Sequence, residues 1–129
     1  MRTTMAEGAR DGAGGPAAGC PFCELLDTPG HPAVVERWPD AVALTPRGPV
    51  TEGHVLVVPR RHVADAAADP EVAAAAMRHA ARLAGRYPSC NIITSCGAEA
   101  TQTVFHLHLH VVPRRDGDRL ALPWVPAPR

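Results

Sequence analysis

Lysine is absent: the Lys+Arg total of 13 in this 129-residue chain is made up entirely of arginine. That excludes a lysine nucleophile or a Schiff base. An excess of either charge is lacking as well. The 13 acidic residues balance the basic ones, so no long-range field draws the chain to nucleic acid or to an anionic membrane. No apolar run approaches the roughly 20 residues that a membrane helix needs. Met1 to Gly19 holds early charge but no apolar stretch of the kind found in secretory signals, so the expected compartment is the cytoplasm. Internal repeats are missing too. Four cysteines in that setting suggest metal or free thiols before disulfides.

What remains suits one domain with a modest core, at 46% hydrophobic residues. Residues 1–19 carry Gly8, Gly12, Gly14, Gly15 and Pro16 among alanines, a composition expected to form a disordered tail. The folded domain is expected over 20–129. Cys20 to Leu26 reads as a compact turn and a short apolar stretch. Short β-like runs follow at Ala33–Arg37 and Ala41–Thr45. After a loop rich in proline and glycine, His54–Val58 is a β-branched strand closed by Pro59. Asp69, Pro70 and Glu71 mark a helix start. Val72, Ala76, Ala80, Leu83 and Tyr87 repeat near the helical period, and Gly85 and Pro88 mark the end. Strands are expected at Asn91–Ser95 and Val104–Val112, with a turn at Gly97–Thr101 between them. This order predicts an α+β fold with a mainly antiparallel sheet.

The most informative segment is His106-Leu107-His108-Leu109-His110-Val111-Val112. Side chains on a strand alternate faces, so Phe105, Leu107, Leu109 and Val111 would share the core face and the three histidines the other. Neighbouring histidines would then lie about 6.6 Å apart, at a rise of about 3.3 Å per residue. Three readings compete: a polar face that happens to be histidine, a zinc site gripped by a His-x-His pair, and nucleophilic catalysis by one imidazole. Imidazole suits attack on phosphorus because it is neutral near pH 7 and needs no deprotonation. Its phosphoramidate is reactive enough for water to resolve.

The segment resembles, at every position, the signature of the histidine triad (HIT) family, His-φ-His-φ-His-φ-φ with φ apolar. Gly97 to Val104 resembles the family's Gly-rich turn and lead-in, and Gly53 to His62 its other block. The resemblance runs from about Cys20 to Trp124. It implies a HIT-like α+β fold, a five-stranded antiparallel sheet with one main helix, and a homodimer that joins two sheets into one. It implies a nucleotidyl hydrolase or transferase in which His108 attacks the α-phosphorus of a nucleotide conjugate. His110 would bond the phosphate or leaving group, His54 would orient the nucleophile, and Gln102 and Thr103 would contact phosphate oxygens. The sequence departs from the family pattern at three places. Pro46 stands near the place where the family often has an acidic residue that grips the ribose, Ser95 stands where an asparagine is common before the Gly-rich turn, and Thr101 replaces a glycine of the turn. These changes bear on nucleoside recognition more than on phosphoryl chemistry. Trp124 resembles a C-terminal tryptophan that shapes the pocket in some branches, and it reads equally well as an anchor for the tail.

Cys20 and Cys23 form a Cys-x-x-Cys pair. A redox pair would need a βαβ setting that the sequence lacks; unrelated thiols and half of a tetrahedral zinc site are the other readings. A branch of the HIT family completes such a site with two histidines, and the resemblance implies that these are His62 and His106. The Zn2+ would be structural, a staple for a small domain. Two other functions stay open: a zinc-dependent hydrolase with its metal on His106, His108 and His110, and a non-catalytic nucleotide- or partner-binding module. Arg60 and Arg61 read as a solvated pair, and Arg114, Arg115, Asp116 and Asp118 as a charged turn. His31 and His79 read as surface or helix-flank residues, and Cys90 and Cys96 as free thiols.

Overall fold

The computed structural model describes residues 17–125. The expected tail lies outside these residues except for positions 17–19, where a turn leads into Cys20. The elements run α1 (Pro21–Leu26), β1 (Val34–Arg37), β2 (Ala41–Leu44), β3 (Val55–Pro59), α2 (Pro70–Ala84), β4 (Cys90–Ile93), a 3-10 turn (Ala98–Ala100) and β5 (Leu109–Pro113). The strands form one five-stranded sheet in the order β1-β2-β3-β5-β4, and every pairing is antiparallel.

The main helix starts and stops where its sequence says it should. Asp69 caps it by accepting from Glu71 N at 3.1 Å and Val72 N at 3.2 Å, and Pro70 occupies the first turn. Gly85 closes it. Ala76, Ala80 and Leu83 form its buried stripe. Two of the three are alanines, which lets the helix lie close across β3, β5 and β4.

The sheet is covered on both sides. Ala41, Ala43, Val57, Leu107, Leu109 and Val111 pack with α2 in one cluster. Val42, Leu44, Leu56 and Val58 pack with Phe22, Leu25 and Leu26 of α1 in the other. Hence every residue of β2 is buried. At about 25 cal/mol per Å² of apolar surface, each large side chain so buried contributes about 1.5–3 kcal/mol.

Two expectations change. Cys20 to Leu26 is a helical turn: Cys20 caps α1 by accepting from Cys23 N. The last strand begins at Leu109 rather than Val104. At Leu107 the backbone leaves the ladder and donates to Val63 O at 2.7 Å, so strand alternation governs only the residues after it. His79 sits half-buried on the flank of α2, in keeping with its sequence reading, and it is engaged there. Its ring stacks on Trp38 with centroids 4.2 Å apart, and Nε2 lies 2.7 Å from Asp40 Oδ1. Position 79 borders the stripe of Ala76, Ala80 and Leu83.

Candidate active site and metal centre

The break in the ladder separates the three histidines of the signature. His106 is fully buried. Its Nε2–H donates to Pro59 O at 2.8 Å, which leaves Nδ1 as a lone pair. That lone pair faces a compact group: Cys20 Sγ at 3.5 Å, Cys23 Sγ at 3.6 Å and His62 Nδ1 at 3.1 Å. Cys23 Sγ is 3.3 Å from His62 Nδ1. The four ligand atoms lie within 4.8 Å of one another, all on buried residues. Two sulfurs and two imidazole nitrogens at such spacing are a donor set that fits a tetrahedral metal. Burial holds the His106 imidazole down to about 4, and it lowers His62 as well. The sequence-derived set Cys20, Cys23, His62 and His106 is thus one spatial cluster, closed by residues from α1, the end of β3 and the approach to β5.

His108 turns its ring elsewhere. Its Nδ1–H donates to His106 O at 2.8 Å, leaving Nε2 with a free lone pair. Thr94 Oγ1, just past the end of β4, donates to His108 O at 2.8 Å and holds the same stretch of backbone. Phe22 sits edge-on to His108 at 5.1 Å and to His106 at 5.8 Å. It lies between the two cysteines, so the cluster also sets an aromatic ring against His108. Burial lowers the His108 pKa and favours the neutral imidazole.

His110 pairs across the ladder with Leu56 and Ile93, which puts it on the α1 face of the sheet. Its ring centroid is 5.3 Å from that of His108. His54 Nε2 lies 3.0 Å from His110 Nδ1. His54 is itself buried, with its pKa lowered for that reason. Gly53, just before it, has φ +89, and a Cβ there would stand 2.8 Å from Tyr87 Oη. This is a close approach that only glycine permits.

The turn before the triad is organised by Gln102. Its Oε1 accepts from Gly97 N at 2.8 Å, and its Nε2 donates to Ala64 O at 2.6 Å and Val104 O at 3.1 Å. Both N–H donors are engaged, so as placed Gln102 braces the turn and has none left for a phosphate. Thr103 is exposed and Ser95 half-buried. Thr101 adopts φ 70, the left-handed conformation that a glycine would take without strain. Phe22 and the Val50 amide, which donates to His54 Nδ1 at 3.1 Å, were missed from the sequence.

The HIT domain family model matches residues 31–117. The chain is 36% identical over 112 residues to an uncharacterised HIT-like protein of Mycobacterium tuberculosis, covering 80% of this chain and 76% of that one. It is 32% identical over 104 residues to the adenosine 5'-monophosphoramidase of Saccharomyces cerevisiae, covering 77% and 65% respectively. Its fold matches the crystal structure of a Zn-bound histidine triad family protein from Mycobacterium smegmatis with a TM-score of 0.71 and 34% identity, over 86% of this chain and 84% of that one. The chain belongs to the HIT family. Among the described residues no helix is long and apolar enough to cross a membrane.

Proposed function

We propose that this protein is a nucleotidyl hydrolase or transferase that attacks the α-phosphate of a nucleotide conjugate through His108. One observation carries the reading: the 2.8 Å hydrogen bond from His108 Nδ1 to the His106 carbonyl, which fixes the tautomer whose Nε2 is nucleophilic. In this scheme the Nε2 lone pair forms a bond to phosphorus, and the leaving group departs with the electrons of the bond that breaks. The ring positive charge of the nucleotidyl-histidine is shared toward the His106 carbonyl through Nδ1–H. Water or another acceptor then takes the nucleotidyl group and returns the electron pair to Nε2. His110, oriented by His54, bonds the phosphate or the leaving group. Thr103 and Ser95 contact the substrate at the rim, and Gln102 holds the turn beneath it.

The buried metal in this proposal is Zn2+, held by Cys20, Cys23, His62 and His106. It supplies a cross-link and the positive charge that two thiolates need. His108 gains from it indirectly, because the same cluster fixes the His106 carbonyl and Phe22. A three-histidine catalytic metal is disfavoured by the geometry, since His106 Nδ1 faces Cys20 at 3.5 Å. The similarity to the adenosine 5'-monophosphoramidase of Saccharomyces cerevisiae supports phosphoramidates as a first substrate class to try. A homodimer joined through α2 and a free sheet edge belongs to the same proposal.

Native intact-protein mass spectrometry tests all of these parts in one measurement. The expected mass is that of a dimer with one zinc per chain. During turnover of adenosine or guanosine phosphoramidate it should gain one nucleotidyl group, lost again on His108→Ala. A variant at His108 with near-normal turnover would refute the nucleophile, and a metal-free monomer would refute the assembly.

A further inference from the structure

The loop that leads into β3 carries a main-chain donor at Val50, and that donor dictates where the protons of His54 and His110 sit. Val50 N–H donates to His54 Nδ1 at 3.1 Å. That nitrogen is therefore the unprotonated one, and a neutral His54 carries its hydrogen on Nε2. With His54 Nε2 lying 3.0 Å from His110 Nδ1, the hydrogen points to His110. His110 must then carry its own hydrogen on Nε2. A proton added at His110 Nδ1 would put two hydrogens between nitrogens 3.0 Å apart. Burial works the same way: it takes His110 down to about 4, with the charges of His108 and His54 adding to the effect.

The loop itself is pinned at several points. Thr51 Oγ1 donates to Pro113 O at 2.9 Å, Arg115 Nη2 donates to Glu52 O at 3.0 Å, and His54 N donates to Thr51 O at 3.2 Å. Gly53 makes the turn at φ +89 against Tyr87. The Val50 side chain is 52% exposed and makes little of the packing, so the contribution of this position lies in its amide.

We propose that the Val50 main-chain amide, acting through His54, locks His110 as a hydrogen-bond donor that has no proton to give. This rests on the reading of His108 as nucleophile. The donor chain starts at a peptide nitrogen, which does not ionise near neutral pH. If His110 surrendered its Nε2 proton, the deficit would pass to His54 and stop there. His110 therefore stabilises charge without acting as the general acid. The consequence is a substrate class. When the bond from His108 Nε2 to phosphorus forms, the leaving group takes the bonding electrons and departs without a proton from the enzyme. It must be the anion of a good acid, such as a phenolate or an acyl, sulfuryl or phosphoryl oxygen, or an amine already protonated in the substrate. In the second half-reaction water bonds to phosphorus, its proton goes to solvent, and the electron pair returns to His108.

Two measurements decide this. Long-range 1H–15N NMR of the metal-loaded protein, labelled at histidine, should show His54 and His110 both unprotonated at Nδ1 and protonated at Nε2. A hydrogen on Nδ1 of either would overturn the lock, whatever the protein catalyses. The second uses oxygen esters of AMP whose leaving groups rise in pKa from phenols to alkanols. Turnover should fall steeply, by roughly tenfold per pKa unit. A flat series would show that the enzyme supplies a proton and would refute the proposal. If neither this series nor the adenosine and guanosine phosphoramidates turn over, the His108 reading fails, while the NMR result still decides the tautomers. Val50→Pro, which removes the N–H, should lower kcat by roughly tenfold to a hundredfold with KM unchanged and the Nε2–H signal of His110 lost or averaged. Val50→Ala should match the parent. Equal losses in both would mean that the position matters for packing alone.

Discussion

Two histidine clusters sit back to back along residues 106–110, and each uses the backbone to opposite ends. In the buried cluster a carbonyl does the selecting. Pro59 O takes the Nε2 hydrogen of His106, and the lone pair left on Nδ1 joins two thiols and His62. In the open cluster an amide begins the chain, and Val50 N–H makes His54 an acceptor on one side and hence a donor on the other. His108 stands between the two. It gives its Nδ1 hydrogen to a carbonyl, as a metal ligand would, but its lone pair turns away from the cysteines. The comparison teaches that the role of an imidazole here depends on which main-chain group holds one of its nitrogens.

The largest effect should come from breaking the buried side. Cys23→Ser removes a ligand from a closed site that ties α1 to the strands, and should cost on the order of 5 kcal/mol. Chemical denaturation with and without a chelator checks this; a chelator that leaves the parent's midpoint in place would mean that no metal supports the fold. A smaller effect should follow from disturbing the open side. Gly53→Ala forces a side chain into φ +89 and toward Tyr87 Oη, at a cost of about 2 kcal/mol. Because His54 comes next, turnover should fall further than stability alone explains; a variant as active as the parent would show that the turn does not position the relay. The smallest effect is that of pH. The folded pKa of His110, about 4, lies below its ordinary value of 6.5. The unfolded chain therefore takes up a proton that the folded one refuses, and stability should drop as pH falls from about 6.5 toward 4 and then level off. Partial exposure screens the effect to about 1 kcal/mol. Unfolding of the parent and His110→Asn at two pH values should show the smaller drop in the variant.

How well each part could be read from the sequence follows from the range of the forces that set it. Helix α2 was legible to the residue at its start because Asp69 and Pro70 act locally. The metal quartet was legible through motif alone, since nothing in the spacing of Cys20, Cys23, His62 and His106 says that they meet. Helix α1 was missed because six residues are too few to show a period; it stands on its Cys20 cap and on packing against the far face of the sheet. The strand alternation read across the triad put the leucines in the core correctly, but it kept His106 with His108 and His110. The bond from Leu107 N to Val63 O, which joins residues distant in sequence, is what turns His106 toward the metal cluster. Gln102 was recognised as important and given an outward role, whereas its amide faces inward to three backbone groups.

The bond from the Val50 amide to His54 also bears on how such a site is inherited. Nineteen of the twenty amino acids supply the same N–H, so evolution can exchange the exposed side chain at this position freely while the proton map stays intact. A comparison of related sequences would record that position as unconstrained. Its only trace would be a missing letter: proline, which stands immediately before it at Pro49, should not be found at position 50 itself.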